Sequence, residues 1–201
     1  MARPQMVDVD ALLDHARAIW VEEGQAAVTI RALSARSGVS NGAIYHHFTS
    51  RTHLLAQIWA REAAAFRAHQ RVLIQEARDA GTAEDAVVAA ALATGSYADV
   101  KGAAVRVLFG SRPDSLTAEG VPDEVVKELR RHRASASSLV ADLAEEVWGT
   151  SDKTAKRLMR NCVVDIPARI FMAAEKPNDK LARYAIEHAV RGVLAAGPPE
   201  K

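Results

Sequence analysis

The residues best equipped to touch a charged polymer stand close together, between Thr29 and Arg51 (TIRALSARSGVSNGAIYHHFTSR). On a helix turning about 100° per residue, Gly42, Tyr45 and His46 share one arc, with Asn41 beside them. Ile44 and Phe48 fall on the other side. Three arginines (Arg31, Arg36, Arg51) and three histidines (His46, His47, His53) lie between Thr29 and His53, and no carboxylate interrupts them. Duplex DNA is a dense line of phosphates, so a surface without acids favours contact with it. An asparagine can also pair with adenine through two hydrogen bonds, and Asn41 and Gly42 stand at the helix start, nearest the base edges. A solvated helical hairpin with an excess of arginine fits the same pattern.

These side chains need a frame. Thr29 is an N-cap, its hydroxyl accepting from a first-turn amide. Ile30, Ala32 and Leu33 give an apolar stripe, and Gly38 takes positive φ without steric cost and stops the helix. Ser40 caps a second helix to about His47. The first helix of the chain starts at Asp8 or Asp10, buries Leu12, Leu13, Ala16, Ile19 and Trp20, and ends at Gly24. It has to hold the pair, because a helix as short as 40–47 is not stable alone in water. The arrangement is a helix-turn-helix whose second helix suits a major groove.

From about Val9 to Leu55 the chain resembles the DNA-binding domain of the TetR family of bacterial repressors, through LLDHARAIWVEEG, TIRALSARSGVS, NGAIYHHF and SRTHLL. The resemblance covers about a quarter of the chain. It implies that Tyr45, His46 and His47 clamp backbone phosphates beside the capping Ser40. It implies phosphate contacts from Thr29 and Arg31 at the start of the second helix and from Arg51 at the start of the fourth. It also implies a homodimer on double-stranded DNA, in which two helices from each subunit make a four-helix bundle. The two recognition helices then stand roughly 34–36 Å apart, one turn of duplex. Its members commonly bind a small-molecule effector in the larger domain. Many carry lysine where Asn41 stands, so this chain lacks that phosphate or guanine contact.

The remaining composition narrows the classes. Net charge is +1 across 201 residues, so DNA affinity has to come from a local surface. Nearly half the residues are apolar, and no stretch alternates apolar with polar, which predicts an all-α fold of about nine helices. The single cysteine, Cys162, excludes an internal disulfide and a multi-cysteine zinc site, and its apolar flank suits an inert core thiol. No metal or cofactor is expected. Gly38-Val39-Ser40-Asn41-Gly42 satisfies G-x-S-x-G, but that nucleophile elbow needs a buried strand before it. Ser34 to Ser37 are polar and helical, so no catalytic residue and no enzyme is expected. No leader and no apolar run near ~20 residues predicts a cytoplasmic chain. Met1 to Val7 reads as a disordered terminus or as an arm whose Arg3 reaches DNA.

Two domains are expected, 1–51 for DNA and 52–197 for ligand and dimer contacts. The fourth helix runs from about Thr52 to Ala80, with Leu55, Ile58, Trp59, Ala63, Phe66, Val72 and Leu73 on its apolar side. A fifth, capped by Thr82, is expected to break at Gly95-Ser96, and a short helix to span Val100 to Phe109. A loop at 110–122 precedes a long helix from Pro122 to about Trp148. The penultimate helix runs to about Glu175, turns at Pro177-Asn178, and the last reaches Gly197. Leu158, Cys162, Ile166 and Ile170, with Leu181, Tyr184 and His188, form stripes that suit a dimer surface or the monomer core. Asn161, Asp165 and Arg169, at i, i+4 and i+8 around Pro167, are candidate effector contacts, joined by Tyr97 and Arg106, with Phe66, Phe109 and Trp148 as lining. Asp165 and Arg169 equally suit an i,i+4 ion pair. Two functions fit: a ligand-responsive repressor reading a palindrome as a dimer, or a DNA-bound helical adaptor that recruits a protein partner without an inducer.

Overall fold

The computed structural model describes residues 7–111, 113–117, 120–174 and 179–199. Among them all regular structure is helical, and the chain divides into two compact units. Nine helices result when α8 and α9, joined by a π turn, are taken as one. No helix among the described residues is long and apolar enough to cross a membrane. Arg3, Glu175, Pro177 and Asn178, named above, lie outside the described residues.

The first unit comprises Met1–Ala63 and Arg106–Arg131. It holds α1 (Val9–Glu23), α2 (Ile30–Ser37), α3 (Asn41–His47), and the first turns of α4 (Arg51–Ala80). It also takes most of α6 (Val105–Phe109) and the start of α7 (Asp123–Trp148). Asp8 caps α1, its carboxylate accepting the Ala11 amide at 3.1 Å. Leu12, Ile19, Leu33, Ile44, Phe48, Leu54 and Ile58 are buried together with Leu116, Val125 and Leu129. Burying each large apolar side chain contributes ~1.5–3 kcal/mol, enough to hold the seven-residue α3 that could not persist alone. Leu116, inside the segment expected to be an irregular loop, is 1% exposed on a short 3₁₀ turn and so is anchored in this core.

The second unit comprises Ala64–Val105 and His132–Lys201. Its centre is α5 (Ala83–Lys101), where ten residues between Ala86 and Ala98 are buried on every side. A helix apolar all round belongs inside a bundle. Around it stand the later turns of α4 and α7, then α8 (Lys153–Arg160), α9 (Ile166–Ala173) and α10 (Lys180–Ala196). Thr82 and Asp85 form a reciprocal capping box on α5, and Arg191 of α10 pairs with the Asp85 carboxylate at 2.9 Å.

The structure corrects three expectations in this unit. Gly95-Ser96 does not break α5, which continues to Lys101 and stops at Gly102 with φ of 59°. A helical glycine costs about 1 kcal/mol against alanine, and burial of the surrounding face outweighs it. Val72 is 55% exposed, and the buried side of α4 passes instead through Gln70 and Ile74. Gln70 spends its amide on the Ala90 carbonyl at 3.0 Å, so a polar residue occupies a place that periodicity assigns to apolar ones. The short helix begins at Val105, not Val100, because Val100 belongs to the end of α5.

Candidate nucleic-acid interface

The turn between α2 and α3 is built from three short-range devices. Thr29 accepts the Ala32 amide at 3.0 Å and Ser40 accepts that of Ala43 at 3.3 Å. Gly38 lies at φ 74°, in the left-handed region that favours glycine, and its amide donates to the Ser34 carbonyl at 2.9 Å. From this turn α3 places Ile44 and Phe48 at 0% exposure in the core. Its opposite arc shows Asn41, Gly42 and His46 exposed, Tyr45 55% exposed, and His47 half-buried against the edge of His46, ring centroids 5.4 Å apart. The two arcs divide as the sequence predicts.

Nothing lies within 4 Å of the position a Cβ would take on Gly42. The chain itself therefore has no steric need for glycine there, on a helix where glycine is unfavourable. The missing side chain leaves room outside the chain, where another backbone or a base edge can approach closely.

The arginines are less available than their number suggests. Arg36 makes a two-pronged pair with Glu22 of α1, at 2.7 and 2.9 Å. Arg51 is turned inward at its nitrogens: Nε donates to the Val28 carbonyl and Nη2 to that of Gln25, each at 2.6 Å. Gln25 opens the 3₁₀ turn Gln25–Ala27 and Val28 caps its end just before α2, so Arg51 ties this turn to the start of α4. The phosphate duty expected of Arg51 competes with this bracing role, which sequence spacing alone did not reveal. Arg31 remains exposed, with no partner among the described residues.

His53, which sequence analysis counted only as charge, is 4% exposed. Its Nδ1 accepts the Thr49 amide at 3.1 Å, and its Nε2 faces Gln57 at 2.8 Å. Burial pushes its pKa below the ordinary histidine value, with Glu124 opposing in part. Thr49 also donates its hydroxyl to the Gly120 carbonyl at 3.0 Å. These bonds fix the segment between α3 and α4.

Of the eight expected effector residues, Arg106 and Phe109 belong to the first unit and the other six to the second. Phe66 and Tyr97 do meet, edge to face at 5.4 Å, with His69 beside Tyr97 at 5.6 Å and bonded to Ser96 at 2.8 Å. Trp148 lies apart, donating its indole N–H to the Leu194 carbonyl. Asn161 to Asp165 forms a π turn, closed by the Ile166 amide on the Asn161 carbonyl. Pro167 explains it: its ring cannot donate and crowds the carbonyl four residues back. The wider turn brings i and i+5 together, so Asp165 pairs with Arg160 at 3.5 Å, not with Arg169. A groove between α4 and α7 is lined by none of the eight.

Of the residues expected at a dimer surface, Leu181 and Tyr184 are 71% and 60% exposed, His188 is exposed and stacked on Tyr184 at 3.9 Å, and Leu158, Ile166 and Ile170 are half-buried. For Cys162 the core alternative holds: at 0% exposure it packs inside the second unit, and it is not available to a dimer surface. Burial pushes its thiol up to about 11, which suits an unreactive core residue.

Residues 12–58 match the sequence model described as bacterial regulatory proteins, tetR family. Among curated proteins, none matches. Solved structures are similar over nearly the whole chain. KstR2, a ketosteroid transcriptional regulator of Mycobacterium tuberculosis, has a TM-score of 0.66 at 16% identity and covers 100% of both chains. A tetR-family regulatory protein from Rhodococcus RHA1 has a TM-score of 0.68 at 16% identity, over 95% of this chain and 97% of its own. SCO4454, a TetR-family regulator from Streptomyces coelicolor, has 0.67 at 21% identity, over 94% and 95%. At such identities the likeness is one of fold.

Proposed function

We propose that this chain is a member of the TetR family of bacterial transcriptional regulators, and that it is a ligand-responsive repressor that reads a palindromic operator as a homodimer; the match of residues 12–58 supports the family. The observation that carries the reading is the exposed arc of α3, where Asn41, Gly42, Tyr45 and His46 face outward over the buried Ile44 and Phe48. Asn41 reads a base edge, Tyr45 and the two histidines hold phosphates, and Arg31 adds one full positive charge. With Arg36 and Arg51 engaged inside the subunit, affinity rests on a few contacts per subunit. Pairing two subunits doubles those contacts, which favours a dimer. An effector that binds one arrangement of the pair better than another shifts the population away from DNA.

The test is a titration against the DNA upstream of its own gene. Saturable binding to an inverted repeat, weakening as salt rises, is expected, and its absence there removes the reading. Tyr45→Ala should weaken binding to all sequences alike. Arg31→Ala should also lower the salt slope by about 1. Asn41→Ala should instead relax preference at one base position, by ~1–3 kcal/mol.

A further inference from the structure

Between α4 and α7, within the second unit, lies a groove of about 90 Å³. Ile74 and Leu139 give it apolar walls, and Arg67, Arg71 and Arg78 line it with Ser135. Arg78 is compensated: its guanidinium meets the Glu146 carboxylate at 2.6 and 3.2 Å. The other two are not. Half-buried Arg67 spends one N–H on the His132 carbonyl at 2.9 Å, a neutral partner. The charge felt beside it is that of Arg71, one helical turn on and of the same sign. Desolvation first and Arg71 second both work against the charged form of Arg67.

Like charges four residues apart destabilise a helix, and a partly desolvated guanidinium without a counter-ion costs more. No carboxylate pairs with Arg67 or Arg71 among the described residues. Ser135 stands in the exposed run of small residues 134–138, which leaves the mouth open to solvent.

We propose that this groove binds a small anion through a carboxylate or phosphate head, held by Arg67 and Arg71 with the Ser135 hydroxyl. An apolar portion of that molecule rests on Ile74 and Leu139. The inference deepens the reading above by naming the chemical class of the effector, and depends on that reading only for its consequence on DNA. The helix carrying Arg67 and Arg71 is the one that begins at Arg51, separated from the end of α3 by three residues. Neutralising their repulsion therefore acts on a rod continuous with the DNA-binding unit.

The experiment follows thermal unfolding of the full chain in titrations of inorganic phosphate and, separately, butyrate, with sodium chloride at matched ionic strength as reference. A saturable rise in Tm with at least one of the two is expected, and which one responds identifies the head group. Arg71→Gln, at an exposed position, should weaken that response at least tenfold, and Arg130→Gln, elsewhere on α7, should leave it unchanged. Arg67→Gln should weaken it too, with circular dichroism as the check that the loss of the His132 contact has not unfolded the chain. Neither anion producing saturation, Arg71→Gln responding as the parent does, or Arg130→Gln losing the response equally would each overturn the proposal. Anion binding is read without DNA, so its failure and a failure of operator binding are separate results. If both readings hold, the responding anion weakens operator binding of the parent chain and not of Arg71→Gln.

Discussion

Arg51 shows how one side chain can look like a ligand contact and serve as a brace. Two charge-assisted hydrogen bonds to the Val28 and Gln25 carbonyls hold the start of α2 against the start of α4. Arg51→Ala should lower stability by roughly 1–3 kcal/mol, read as the urea midpoint, in the absence of any DNA. Arg51→Lys should recover little, because a single ammonium cannot span two carbonyls as the planar guanidinium does. An unchanged midpoint in Arg51→Ala would return this residue to the phosphate-contact set. His53 carries a pH dependence. Its Nδ1 accepts from Thr49, so a second proton has to displace that bond. The folded pKa lies below the ordinary value of about 6.5, so the unfolded chain binds the proton more readily. The stability it gives is complete above that value and is lost as pH falls through it toward the folded pKa. The urea midpoint should therefore drop between pH 7.5 and 5.5, and His53→Gln should flatten that drop. Equal slopes would show that His53 is not the group responsible.

At the scale of the element, α3 is exact in its caps and generous at Gly42. The open space around Gly42 separates two effects that usually travel together. Gly42→Ala should stabilise the free protein by up to about 1 kcal/mol, through helix propensity, while weakening operator binding. Operator affinity unchanged by the methyl group would show that no part of the duplex approaches there. The boundaries of α1, α2 and α3 were legible because their stop and start signals are local: Asp8, Thr29 and Ser40 each accept an amide three residues on, and Gly24 and Gly38 take positive φ. Elements of the second unit were less legible where the deciding contact is distant. The break expected at Gly95-Ser96 rests on residue preference, and α5 runs through it because its surroundings bury it. The expected Asp165–Arg169 pair assumes an uninterrupted α-helix, and the π turn ahead of Pro167 shifts the register to Arg160–Asp165.

At the scale of the whole molecule, three of the large apolar side chains left exposed among the described residues lie on the last two helices: Leu181 and Tyr184 on α10, and Met172 of α9, 47% exposed. Large apolar side chains at such exposure suit a subunit interface. Tyr184→Glu together with Leu181→Arg should yield a monomer in sedimentation velocity, with helicity retained because neither side chain is in the core. A variant that still sediments as a dimer would move the interface elsewhere. Loss of operator affinity in step with loss of the dimer would support the palindrome reading.

The amino-acid sequence alone determined the all-helical class, the helix-turn-helix and the outward face of α3, since these follow from caps, glycine turns and a 3.6-residue period acting within a few positions. Tertiary structure alone decided which arginines are engaged within the chain, that Asp165 pairs with Arg160, and that Arg67 and Arg71 share a groove without an acid. Those outcomes depend on where a side chain's distant neighbours lie, and a pattern read along one helix carries no information about the helix packed against it.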